Sequence, residues 1–189
     1  MIGLAEIVAG VRGSLRLLSG DPRAMSDFDC SFSGFWRSFG VVVVMSPAAL
    51  LSIFADRAFL SAEAPIGRLL AVGLLSYGLG FVAFPLIVAG LARPLGLAER
   101  YVPLVVTRNW TTVLGSLPQA VITGLWLLGV LPARTMAFST LIALGFDLYL
   151  SYRAVRVSAA VGPSSASGLV ALDLLSALLI DAALTRLAL

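Results

Sequence analysis

The segment 69–92 carries no charged residue and is closed by Arg68 on one side and Arg93 on the other. About 20 mostly apolar residues in an α-helix cross the roughly 30 Å hydrocarbon layer of a bilayer. Within that layer only helices and closed barrels satisfy every backbone N–H and C=O. Four further stretches read the same way, 38–55, 110–131, 135–153 and 168–186, and none alternates residue by residue as an outer-membrane strand does. The fold expected is all-α: a polytopic transmembrane helix bundle of about five spans over residues 36–189, preceded by a segment 1–35 that holds an amphipathic helix and a linker. Composition agrees, since 59% of the 189 residues are apolar and 12% charged, at a mean hydropathy of +1.01.

The charge inventory removes several chemistries. All 13 basic residues are arginine, with no lysine or histidine, so the chain has no imidazole base, no Schiff-base amine and no histidine ligand for zinc. Cys30 is the only cysteine and has no thiol partner within the chain. Gly73, Gly78 and Gly80 lie among aliphatic residues of a span and do not follow a strand, which removes the phosphate-loop reading. No enzyme, no cofactor and no metal site is expected. The arginines punctuate apolar stretches singly or in pairs and do not cluster on one face, so they read as topology signals and not as a nucleic-acid surface.

Sorted by alternate sides of five spans, the arginines divide nine to four. One side takes Arg12, Arg16, Arg23, Arg37, Arg93, Arg100, Arg108, Arg153 and Arg156; the other takes Arg57, Arg68, Arg134 and Arg186. Short cytoplasmic loops are enriched in arginine, which puts the N-terminus inside, the C-terminus in the periplasm and the whole in a bacterial inner membrane. In the N-terminal segment Leu4, Ile7, Val8, Val11, Leu15 and Leu18 share one helical face, with Glu6, Arg12 and Arg16 around the other. Such a helix either lies in the headgroup layer or docks onto the protein's own loops or a partner. Arg12, Arg16, Trp36 and Trp110 are read as membrane-surface residues.

Three carboxylates fall inside the expected spans, Asp147, Asp173 and Asp181. With Gln119 they form the candidate intramembrane polar site, because ionisable groups at that depth are costly enough to mark function. Asp147 and Asp173 lie at similar depth, near enough to meet. Two outcomes are open: the aspartates bond to hydroxyls or pair with arginines, or they line a proton or ion path. Ser76, Gly80, Ser116, Ala120 and Gly124 are spaced for close helix packing. Pro47, Pro85 and Pro118 interrupt spans and free a backbone carbonyl at each.

In its cytoplasmic N-terminal segment, closely spaced spans and short C-terminal tail, the chain resembles the Yip family of five-span membrane proteins and their small bacterial relatives. The stretches Gly34-Phe35-Trp36-Arg37-Ser38-Phe39 and Arg108-Asn109-Trp110 are also similar to those of small inner-membrane proteins of GC-rich bacteria. The resemblance is one of architecture; it implies a membrane-organising or partner-binding role and carries no site residue across. The leading expectation is a non-enzymatic scaffold in the lipid bilayer, with a membrane-protein partner or a second copy of itself. The alternative is a small proton- or ion-coupled transporter, or a channel-forming oligomer, that uses the aspartates.

Overall fold

The computed structural model describes residues 3–59 and 65–188. Helix α1 (Leu4–Ser19) leads through a 3-10 turn (Ala24–Asp27) to the short α2 (Phe32–Ser38) and the long α3 (Val41–Phe59). Four more long helices follow, α4 (Ile66–Leu91), α5 (Tyr101–Leu127), α6 (Ala133–Ser158) and α7 (Pro163–Ala188). The fold is all-α. Three helical stretches are long and apolar enough to cross a membrane: Phe32–Ala58, in which α2 runs on into α3, then Ile66–Leu91 and Pro163–Arg186.

Local chemistry explains where several elements begin and end. Gly20 closes α1 in the left-handed conformation at φ 80°, where only glycine avoids a Cβ penalty, and its N–H and that of Asp21 bond back to Leu17 and Arg16. Ser31 caps α2, its hydroxyl accepting from the Gly34 N–H at 3.0 Å. Asp29 in turn accepts from the Ser31 N–H and from Arg37, contacts that hold its carboxyl below the usual range. At Pro47 the missing N–H frees the carbonyl of Val43 one turn back, and the Ser46 hydroxyl takes it at 2.8 Å. Proline therefore stays inside α3 without leaving an orphan acceptor.

The long helices close a ring: α3 packs on α4, α4 on α7, α7 on α6, α6 on α5 and α5 back on α3. Helix α5 is the hub, because α1 and α2 also lie against it. Outward faces are mostly apolar, as with Leu74, Leu75 and Leu86 on α4, Phe138, Leu141 and Ile142 on α6, and Leu175, Leu178 and Leu179 on α7. In water such continuous apolar surface would drive association; against lipid it is the ordinary exterior of a bundle.

Two readings left open by the sequence are decided here. The third span reads from residue 110, with Tyr101 to Thr107 either in the interface or lengthening the helix; the helix starts at Tyr101, and Leu104, Val105 and Val106 are fully buried in its first turns. Arg108, read as a loop arginine, therefore lies inside helix α5. The apolar face of α1 also divides. Gly10, Gly13, Ser14 and Leu17 are buried, with Ile7, Val11 and Leu18 beside them, while Leu4, Val8 and Leu15 stay exposed. The physical reason is Gly10: a Cβ there would sit 2.3 Å from the Trp110 ring, so the bare backbone is what lets α1 lie flat on α5. Docking on the protein itself is the destination of this helix.

Candidate functional site

Polar groups gather in two places inside the ring. The first joins α5, α6 and α7. Arg108 donates from Nε and Nη2 to the two carboxylate oxygens of Asp173 at 3.0 and 2.9 Å, a bidentate pair that geometry favours for arginine. Its guanidinium also lies 5.5 Å from the ring centres of both Phe81 and Phe84 on α4. The two partners are only 13% and 16% exposed, so water does little to screen them. Asp147 lines the same small cleft with Ser151 and Ala177, and its carboxylate fills the space over Gly115, where a Cβ would stand 2.0 Å from Oδ1. Asp147 itself makes no ion pair among the described residues.

The second place is a cavity of about 280 Å³ between α3, α4, α5 and α7, toward the end of the bundle remote from α1, where it opens so that its two carboxylates, Asp56 and Asp181, are exposed. Asp56, Asp181, Gln119, Ser52, Ser76, Tyr77, Thr112 and Ser116 line it, among the apolar Met45, Ala48 and Ile53. Ser76 reaches Asp181 at 3.3 Å, and Tyr77 donates to the Val42 carbonyl at 2.9 Å. Gln119 donates to Thr123 at 3.1 Å and to Thr140 on α6 at 3.3 Å. No arginine lines the cavity.

The candidate residues thus separate. Asp147 and Asp173 share one cleft, whereas Asp181 and Gln119 belong to the cavity. Asp181 lies eight residues beyond Asp173 on α7, about 12 Å along the axis at 1.5 Å per residue. Two participants escaped the sequence reading. Arg108 was assigned to a loop, and Asp56 was taken as the boundary of the first span; the signal available for Asp56 was its four-residue spacing from Ser52 on a helix that continues to Phe59.

Among the packing residues, Ser116 and Ala120 face the cavity and a Cβ on Gly124 would make ordinary contact with Leu51. A Cβ on Gly80 would meet open space, and the close approach on α4 is made at Gly73, against Ile53.

Of the residues assigned to the membrane surface, Trp36 is 60% exposed and stacks edge-on against Phe32 and Phe35. Trp110 is not at a surface. It is 2% exposed, because α1 covers it. Arg12 and Arg16 both bond Asp27, at 2.8 and 2.6 Å, and Arg37 joins Glu6 of α1 to Asp29, so these arginines fasten the N-terminal segment to itself. Buried Asn109 adds a further tie, donating to the Ser38 hydroxyl at 3.0 Å. Cys30 is half-buried, and burial together with Asp29 pushes its thiol up, away from thiolate chemistry.

No protein-family model, curated protein or solved structure matches the chain.

Proposed function

We propose that the chain is a five-span protein of the bacterial inner membrane that admits a small cation or proton to the acidic cavity within its ring. Where the polar residues of α5 and α6 lie supports five spans. These helices are as long as α4 and α7, at 27 and 26 residues, and among their polar residues Arg108, Asn109, Gln119 and Asp147 turn into the ring or against neighbouring helices, while Arg134, Arg153 and Arg156 lie toward the ends of α6. Their outward faces remain lipid-like. With Arg108 drawn inside the bundle, the end bearing α1 keeps Arg12, Arg16, Arg23, Arg37, Arg93, Arg100, Arg153 and Arg156, against Arg57, Arg68, Arg134 and Arg186 at the other. That bias, eight to four, supports a cytoplasmic N-terminus.

The cavity carries the functional reading. Two carboxylates with hydroxyl and amide neighbours, and no cationic side chain among the lining residues, present negative charge to whatever enters. Asp56→Asn and Asp181→Asn together should abolish a cation- or proton-dependent flux into proteoliposomes while the protein stays folded, because neither carboxylate holds an ion pair among the described residues. Flux equal to that of the unaltered protein would end this reading.

A second reading, a scaffold that binds a membrane-protein partner, is supported by Leu4, Val8 and Leu15. They are 77%, 54% and 49% exposed in a row along α1. On it, Val8→Glu releases a co-purifying protein and leaves flux untouched. Association unchanged by that charge would remove the outward face of α1 from consideration. The likeness to Yip-family proteins belongs to this reading and adds no residue role to it.

A further inference from the structure

The outer side of α6 and α7 holds an apolar cleft beneath a pair of uncommitted arginines. Leu148, Tyr149, Tyr152, Val170, Ala171 and Leu174 line the cleft, which measures about 380 Å³. Tyr152 also forms the floor of a second hollow, of about 250 Å³, whose other walls are Arg153, Arg156 and Val157. The two hollows therefore meet at one side chain. Tyr149, Tyr152 and Arg156 follow one another at three- and four-residue spacings along α6, and Arg153 lies four residues beyond Tyr149, which brings the apolar part and the basic part to neighbouring rows of one side.

Charge distinguishes this arginine pair from the others around the N-terminal segment. Arg12, Arg16, Arg23 and Arg37 all hold carboxylates, and so does Arg108 within the ring. Arg153 and Arg156 hold none among the described residues, and they differ from Arg93 and Arg100, which hold none either, in bordering the apolar cleft through Tyr152. Arg156 instead donates to the Tyr152 hydroxyl at 3.2 Å and lies 5.9 Å from that ring's centre, which pins its guanidinium over the mouth of the cleft. The turn at Gly20 comes close to Arg153, yet the neighbouring Asp21 is already engaged by Arg16 and Arg23.

We propose that this cleft binds one anionic phospholipid, with its phosphate on Arg153 and Arg156 and an acyl chain along Leu148, Val170 and Leu174. Lipid satisfies both halves at once. A free phosphate has no use for the apolar cleft, and a zwitterionic lipid offers the same phosphate but brings a quaternary ammonium beside the two guanidinium groups. Basic residues at the end of an apolar groove between spans are a recurrent way of holding such headgroups.

The test is native mass spectrometry of the full chain in detergent, titrated with phosphatidylglycerol or with phosphatidylcholine of the same acyl chains. The expected result is one phosphatidylglycerol retained in preference to phosphatidylcholine. Arg153→Gln with Arg156→Gln should lower that preference roughly thirtyfold, from two arginines near a membrane surface. Both side chains lie in the last turns of α6, with no carboxylate partner to strand. Ala171→Trp, which fills the cleft and leaves the arginines in place, should weaken both lipids. Equal retention of the two lipids, a preference that survives loss of both arginines, or displacement of the lipid by inorganic phosphate would each overturn the proposal.

Discussion

Arg108→Gln is expected to lower the stability of the protein in detergent by about 3–5 kcal/mol, the range for breaking a buried ion pair and leaving the other charge unpaired. The loss would have three sources. Asp173 would lose both of its hydrogen bonds to the guanidinium. Asp147, in the same cleft, would face it with no cation between them. The Phe81 and Phe84 rings would lose the guanidinium that lies 5.5 Å from each. Asp173→Asn should cost nearly as much. Replacing both partners, Arg108→Met with Asp173→Leu, should recover most of the stability, since an apolar pair leaves nothing desolvated and unmatched. Thermal unfolding of the unaltered protein, Arg108→Met, Asp173→Leu and the double variant completes the cycle. Additive losses in the double variant would show that the two side chains do not act as a pair.

The second large effect belongs to the contact between α1 and the bundle. Gly10→Val should undock α1, because the new Cβ would fall 2.3 Å from Cε3 and 2.4 Å from Cδ2 of Trp110, and a ring buried on every side has nowhere to go. Overpacking of this kind costs about 1–3 kcal/mol. It acts on one helix that also packs through Leu17, with Ile7, Val11 and Leu18 beside it, and through ion pairs at Glu6, Arg12 and Arg16, while the long helices keep their own contacts, so the expected result is local release and not global unfolding. Hydrogen exchange should rise over Leu4–Ser19, and Cys30, which packs against the same core, should be alkylated about tenfold faster or more. Trp110→Leu introduced beside Gly10→Val should restore protection by removing the colliding ring. Unchanged exchange in Gly10→Val would mean that α1 is not seated on Trp110.

Several features were legible without coordinates for reasons that are local. Helical class followed from uninterrupted apolar length, and the presence of polar groups within apolar stretches from Asp147, Asp173 and Asp181. Pairing between an intramembrane aspartate and an arginine was one of the two outcomes left open, and it is the one adopted by Asp173. The choice of Arg108 was not legible. Its neighbours Tyr101 to Thr107 are apolar but follow Arg93 and Arg100 closely, so the stretch reads equally as an interfacial loop or as the first turns of a helix. Trp110 was misplaced for a related reason. A tryptophan at the expected end of a span suits the headgroup layer, and only the packing of Gly10 over its ring puts it in the core.

By itself the sequence determined that the chain is helical and built for lipid, because apolar length, capping residues and glycine or proline breaks act within one segment at a time. Tertiary structure decided which polar groups meet. Arg108 and Asp173 are 65 residues apart, Ser76 and Asp181 are 105, and Gly10 lies far along the chain from Trp110. Such pairings depend on the rotation of each helix about its axis and on the order of neighbours around the ring, α3, α4, α7, α6 and α5. Periodicity says which residues share a face. It does not say which face a neighbouring helix will cover, since that is set by the close packing of all the helices at once.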